Sequence, residues 1–103
     1  MNPEGNGAAK RFRISISQLV TKAIKKLKKR ALNKGIGAEF DRAYGIIVER
    51  LRADPEGFGE LTGEFQELDL LLHVGSVPPL RVEFAYHKSE PFVVIRKMAS
   101  IGD

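Results

Sequence analysis

The chain has 103 residues, 43% hydrophobic and 29% charged, which suits one packed domain and is far from the composition of a disordered chain. It lacks cysteine, which excludes disulfides and thiolate metal sites, and it has no apolar run near the ~18 residues of a membrane span. The net charge of +4 hides an asymmetry, because residues 1–35 carry ten Lys and Arg against Glu4, and the rest carry seven against twelve acidic residues.

Met1 to Ala9 is polar and glycine-rich and reads as a disordered lead-in to a single soluble, cytoplasmic domain over residues 10–103. Phe12, Ile14 and Ile16 then alternate with Arg11, Arg13 and Ser15, the period of a strand with one buried face. Ser17 stands where a helix N-cap would. Leu19, Val20, Ala23, Ile24, Leu27 and Ala31 form one helical stripe, and Asn33-Lys34-Gly35 supplies a stop. Lys22, Lys25, Lys26, Lys28, Lys29 and Arg30 cover the rest of this helix. So dense a basic element suits a polyanion such as nucleic acid, or an acidic partner, although a solvated face that maintains solubility reads the same way.

A second helix is expected from about Ala38 to Ala53, where Ile36, Phe40, Ala43, Tyr44, Ile47, Val48 and Leu51 recur at spacings of three and four. Gly45 inside it is expected to let the two helices approach closely. Asp54-Pro55 ends the helix, because the residue before proline is pushed out of the α region. The short connection predicts an antiparallel helix hairpin.

Glu56 to Gln66 is glycine-rich and reads as irregular. Beyond it the period becomes two. Leu68, Leu70, Leu72 and Val74 are taken as one strand face, opposite Glu67, Asp69, Leu71 and His73. Val82, Phe84 and Tyr86 alternate with Arg81, Glu83, Ala85 and His87, and a last strand runs from Phe92 to Met98. The expected class is therefore α+β: a strand, a two-helix antiparallel hairpin, then a three-stranded antiparallel meander that the first strand joins at one edge.

No phosphate-binding G-x-x-x-x-G-K-[ST], no G-x-G-x-x-G, no H-E-x-x-H and no G-x-S-x-G is present. With two histidines and no cysteine, neither a metal nor a cofactor is expected. What remains is a polar sheet face. Arg81, Glu83 and His87 share a parity, His73 is expected to project beside them, and Arg96 lies on the last strand with Lys97 on its opposite side. Phosphodiester cleavage needs cations around the phosphorane and groups that move protons. Arg81 and Arg96 suit the first role; His87, His73 and Tyr86 suit the second. The same alternation would also arise on the solvent face of any half-buried sheet.

The order of elements resembles the RelE/ParE superfamily of bacterial toxins over residues 11–98. The likeness is carried by Leu51-Arg52-Ala53-Asp54-Pro55 with Gly57-Phe58-Gly59-Glu60, by Leu80-Arg81-Val82-Glu83-Phe84-Ala85-Tyr86-His87, and by Phe92-Val93-Val94-Ile95-Arg96-Lys97. The resemblance implies a β-α-α-β-β-β fold and a small cytosolic toxin that binds a cognate antitoxin. RelE-like members cleave messenger RNA on the ribosome without a metal, and ParE-like members inhibit DNA gyrase. The expectation is thus a type II toxin cleaving ribosome-bound mRNA, with its basic helix on ribosomal RNA. The alternatives are a gyrase inhibitor or a non-catalytic module that binds nucleic acid or antitoxin. Arg81 matches the arginine that opens the family's third strand, and Arg96 stands in for basic residues near the last one. Where the family's nucleases carry basic residues on the preceding strand, this chain has Leu68-Asp69-Leu70-Leu71-Leu72-His73, so the implied nuclease site is incomplete.

Overall fold

Ser17 separates the first strand, β1 (Arg13–Ile16), from the first helix, α1 (Gln18–Asn33), and its hydroxyl accepts the Val20 amide at 3.1 Å. This is the N-cap expected of a serine ahead of an apolar stripe. The other end of α1 closes on Gly35, whose φ of 80° lies in the left-handed region. Gly35 and Ile36 donate to the Leu32 and Ala31 carbonyls, the paired bonds of a Schellman motif. The second helix, α2 (Gly37–Ala53), therefore starts at once and folds back antiparallel, with Lys28 of α1 paired to Asp41 of α2. The computed structural model describes residues 11–102, and the lead-in expected over residues 1–9 lies outside them.

The helices bury Leu27 and Ala31 from α1 and Phe40, Ala43, Ile47 and Leu51 from α2, spacings of three and four that face one side. Two expectations for this hairpin need correction. Leu19 is 79% exposed and Ala23 is exposed as well, so the buried stripe of α1 follows Val20, Ile24, Leu27 and Ala31. Gly45 is exposed, and a Cβ there would meet nothing within 4 Å, so it serves no close approach between helices.

After α2 the chain builds four further strands, β2 (Glu60–Phe65), β3 (Leu70–Val77), β4 (Leu80–His87) and β5 (Phe92–Ser100), with a 3-10 turn over Gln66–Leu68. They form one sheet in the order β1-β5-β4-β3-β2, with β1 parallel to β5 and every other pair antiparallel. The α+β class and the strand, helix hairpin and meander order hold, but the meander has four strands. The added one, β2, is the segment read as irregular. It is a bulged edge strand, with a register shift between Leu61 and Gly63, and its residues are nearly all exposed. With neither face buried, no hydrophobic period marks it.

Both helices lie on one face of the sheet. Beneath them sit Leu80, Val82, Phe84 and Tyr86 of β4 and Val93, Ile95 and Met98 of β5. The loop between α2 and β2 closes this core with Phe58, whose ring stacks on Phe84 at 5.7 Å. Gly59 follows with φ 73°, and a Cβ there would fall 2.3 Å from the Val74 carbonyl oxygen, so the backbone itself needs glycine. Arg11 forks onto the Glu49 carboxylate at 3.1 and 3.2 Å and ties the start of β1 to α2. No helix among the described residues is long and apolar enough to cross a membrane.

Candidate functional site

Residues paired directly across antiparallel strands share a face of the sheet, so the register assigns every side chain to the helix-covered or the open side. On the covered side, His73 lies opposite Phe84, and Leu71 opposite Tyr86. On the open side, Arg81 lies opposite Ser76 and Ala99, and Glu83 opposite Val74 and Lys97. Leu72, Ala85 and Val94 form the floor between them and the far end.

His73 is therefore not beside Arg81, as expected from its parity, but on the other face. It is 5% exposed, and its Nδ1 donates to the Phe58 carbonyl at 2.9 Å. Its ring meets Phe84 at 5.4 Å and Tyr86 edge-on at 5.0 Å. This is a satisfied core histidine that holds the Phe58 loop to β3. The parity misleads because β3 is apolar on both sides. Leu70, Leu72 and Val74 face out and are half-buried, whereas Leu71, His73 and Val77 face in.

Tyr86 is also on the covered side, 6% exposed. Burial pushes its phenol up from its ordinary value, and the carboxylates of Glu56 and Asp54 add to the shift. A group raised in the folded state contributes stability that is complete below the free phenol value of about 10 and is lost as pH rises through the folded value. The urea midpoint should accordingly fall as pH rises above about 10, and Tyr86→Phe should flatten that limb. Equal alkaline losses in the two proteins would assign the effect to other groups.

His87 does reach the open side, but six residues beyond Arg81, about 20 Å along the strand. Its Nδ1 accepts the amides of Ser89 and Glu90 at 3.1 and 2.9 Å, and its ring packs 5.2 Å from Phe92. It shapes the β4–β5 turn. Arg81 is exposed on the open face, and Arg96 is exposed on β5, three residues from Ala99, the partner of Arg81.

The feature that sequence reasoning missed is a β-bulge. Ile95 pairs with Phe84 and Lys97 with Glu83, which leaves Arg96 as the extra residue. The bulge puts Arg96 and Lys97 on the same open side, where a regular strand would have put them on opposite sides. Arg81, Glu83, Arg96 and Lys97 thus share the open face, with the Arg96 guanidinium carried away over the Phe65 ring. Lys97 stands opposite Glu83, with Cβ atoms about 5 Å apart in such pairs, and Arg81 lies about 7 Å along the strand. The side chains of Arg81, Glu83 and Lys97 make no hydrogen bond or ion pair with another described residue. Two consecutive exposed residues inside an otherwise alternating strand, Arg96-Lys97, are the sequence trace of the bulge.

The basic helix is a second surface. Lys22, Lys25, Lys26, Lys29 and Arg30 are exposed, and Lys28 is half-buried, taken up by Asp41 and set 5.8 Å from the Phe40 ring centroid. Since α1 covers the inner face, these cations point away from the open one. Among the described residues, no three His, Cys, Asp or Glu side chains gather as a metal-binding group. The open face offers two cations, Arg81 and Lys97, on either side of the Glu83 carboxylate, a set that can hold an anion and accept a proton, while Arg96 lies over the Phe65 ring. Comparison with protein-family models gives no match, and neither does comparison with curated proteins.

Proposed function

We propose that this chain is a cytoplasmic toxin of the RelE/ParE kind, partnered by a cognate antitoxin, that acts on ribosome-bound messenger RNA at the open face of its sheet. The observation that carries the reading is the bulge that brings Lys97 opposite Glu83 on the face that also bears Arg81, on a sheet of the expected strand and helix order. In a metal-independent cleavage, Glu83 would take the proton of a 2′-hydroxyl as that oxygen attacks phosphorus. Arg81 and Lys97 would neutralise the phosphorane, and the 5′-oxygen would leave with a proton from Lys97 or water. The products are a 2′,3′-cyclic phosphate and a 5′-hydroxyl.

A second, non-catalytic reading is favoured by one specific observation: both histidines and Tyr86 are held in structural roles, away from the cluster. On that reading the cations bind a phosphate backbone, of RNA or in a gyrase complex, without chemistry. The test is induction of the chain in growing bacteria, with mapping of 5′-hydroxyl message ends. Growth arrest with mapped cuts is expected, and Arg81→Ala should lower cleavage by about 100-fold or more, the scale for one lost charge-stabilising donor. Because Arg81 is exposed, the melting temperature should move by less than about 3 °C. Intact messages would end the nuclease reading; stalled supercoiling with whole RNA would favour gyrase inhibition.

A further inference from the structure

Phe65 ends β2 on the open face, opposite Leu70, and remains 40% exposed. Arg96 covers its ring, with the guanidinium carbon 5.2 Å from the centroid. Since β5 and β2 are separated by β4 and β3, the Arg96 side chain must cross the open face to make this contact. Arg96 therefore runs from the bulge beside Lys97 to an exposed aromatic ring. Next to that ring lies a recess of about 430 Å³, lined by Glu64, Phe65, Gln66, Glu67 and Leu68.

These side chains fit one class of ligand poorly and another well. Glu64 and Glu67 repel phosphate. A nucleobase is neutral, stacks on an aromatic face, and offers its edge to carboxylate and carboxamide groups. Glu64 is held by Lys88, while Glu67 has no ion pair among the described residues. Guanine is the base that presents two adjacent N–H donors, N1–H and the 2-amino group, to a single carboxylate. We infer that the Phe65–Leu68 turn is a nucleobase subsite: an unpaired guanine stacks on Phe65, its edge meets Glu67 and Gln66, and Arg96 moves from the ring to the adjoining phosphate.

This inference rests on the proposed action upon single-stranded RNA, and the test separates the two. Equilibrium binding would be measured for a labelled uridine hexamer carrying one central guanine, and for the same hexamer with that nucleotide abasic. The full chain would be compared with Phe65→Ala, Phe65→Tyr and Arg81→Ala. Stacking of one base predicts that Phe65→Ala weakens the guanine hexamer by about 5- to 150-fold, leaves the abasic hexamer unchanged, and is rescued by Phe65→Tyr. Arg81→Ala should weaken both hexamers alike, through the phosphate. If Arg81→Ala weakens binding and Phe65→Ala does not, or if Phe65→Ala weakens both hexamers equally, the subsite is wrong while the proposed function stands. If neither hexamer binds the unaltered chain, both fall.

Discussion

Phe84→Ala should cost about 3–5 kcal/mol of folding stability, the scale for truncating a large aromatic that neighbours cannot fill in for. A domain of this length has about 5–15 kcal/mol in total, so the variant should be partly unfolded at ambient temperature or close to it. Phe84 is fully buried at the centre of the sheet. Phe58 stacks on it and His73 lies against it, so removing the ring also loosens the loop whose carbonyl His73 holds. The matched control is Leu72→Ala, one strand away on the open face and half-buried, which should cost about 1 kcal/mol. Urea midpoints of the two variants decide the matter. Comparable losses would mean that the open face is itself covered in solution, for example by a second copy of the chain.

That pair of variants also marks where the sequence was readable and where it was not. β4 was legible in its faces, because one parity is strongly apolar and the other mostly polar, and Tyr86 on the apolar parity is accordingly covered. α2 was equally clear, since Asp54-Pro55 fixes its end and its buried residues keep strict helical spacing. β3 was legible as a strand but not as to face, because leucines occupy both parities and the buried histidine looks polar. Its true orientation depends on its register with β4, a long-range fact that local spacing does not hold. β2 was invisible, being exposed, glycine-containing and bulged at a sheet edge. For the site, Arg81 could be read from parity alone. Lys97 could not be joined to it without the bulge, because a two-residue period sends neighbours to opposite sides.

If the proposed ribosomal action is right, replacing Lys22, Lys25, Lys26 and Lys29 together by glutamine should weaken binding to ribosomes by roughly 10²- to 10³-fold at 0.1 M salt and lower the log–log salt slope by about 3, the effect of four lost phosphate contacts. The fold should survive, because glutamine and lysine have similar helix propensity. The Ser17 cap and the Val20, Ile24, Leu27 and Ala31 stripe are untouched. These four lysines are exposed on the helix that covers the inner face, and the Arg81 cluster lies on the open face. A ligand that engages both must pass around the molecule, as a large folded RNA does and a short single strand does not. The substitutions should therefore affect ribosome binding but spare the affinity of a short single-stranded RNA for the open face. The converse holds for Arg81→Ala. If the quadruple variant binds ribosomes with unchanged affinity and salt slope, the helix is a solvated surface that only maintains solubility, and the open face must account for all recognition of nucleic acid.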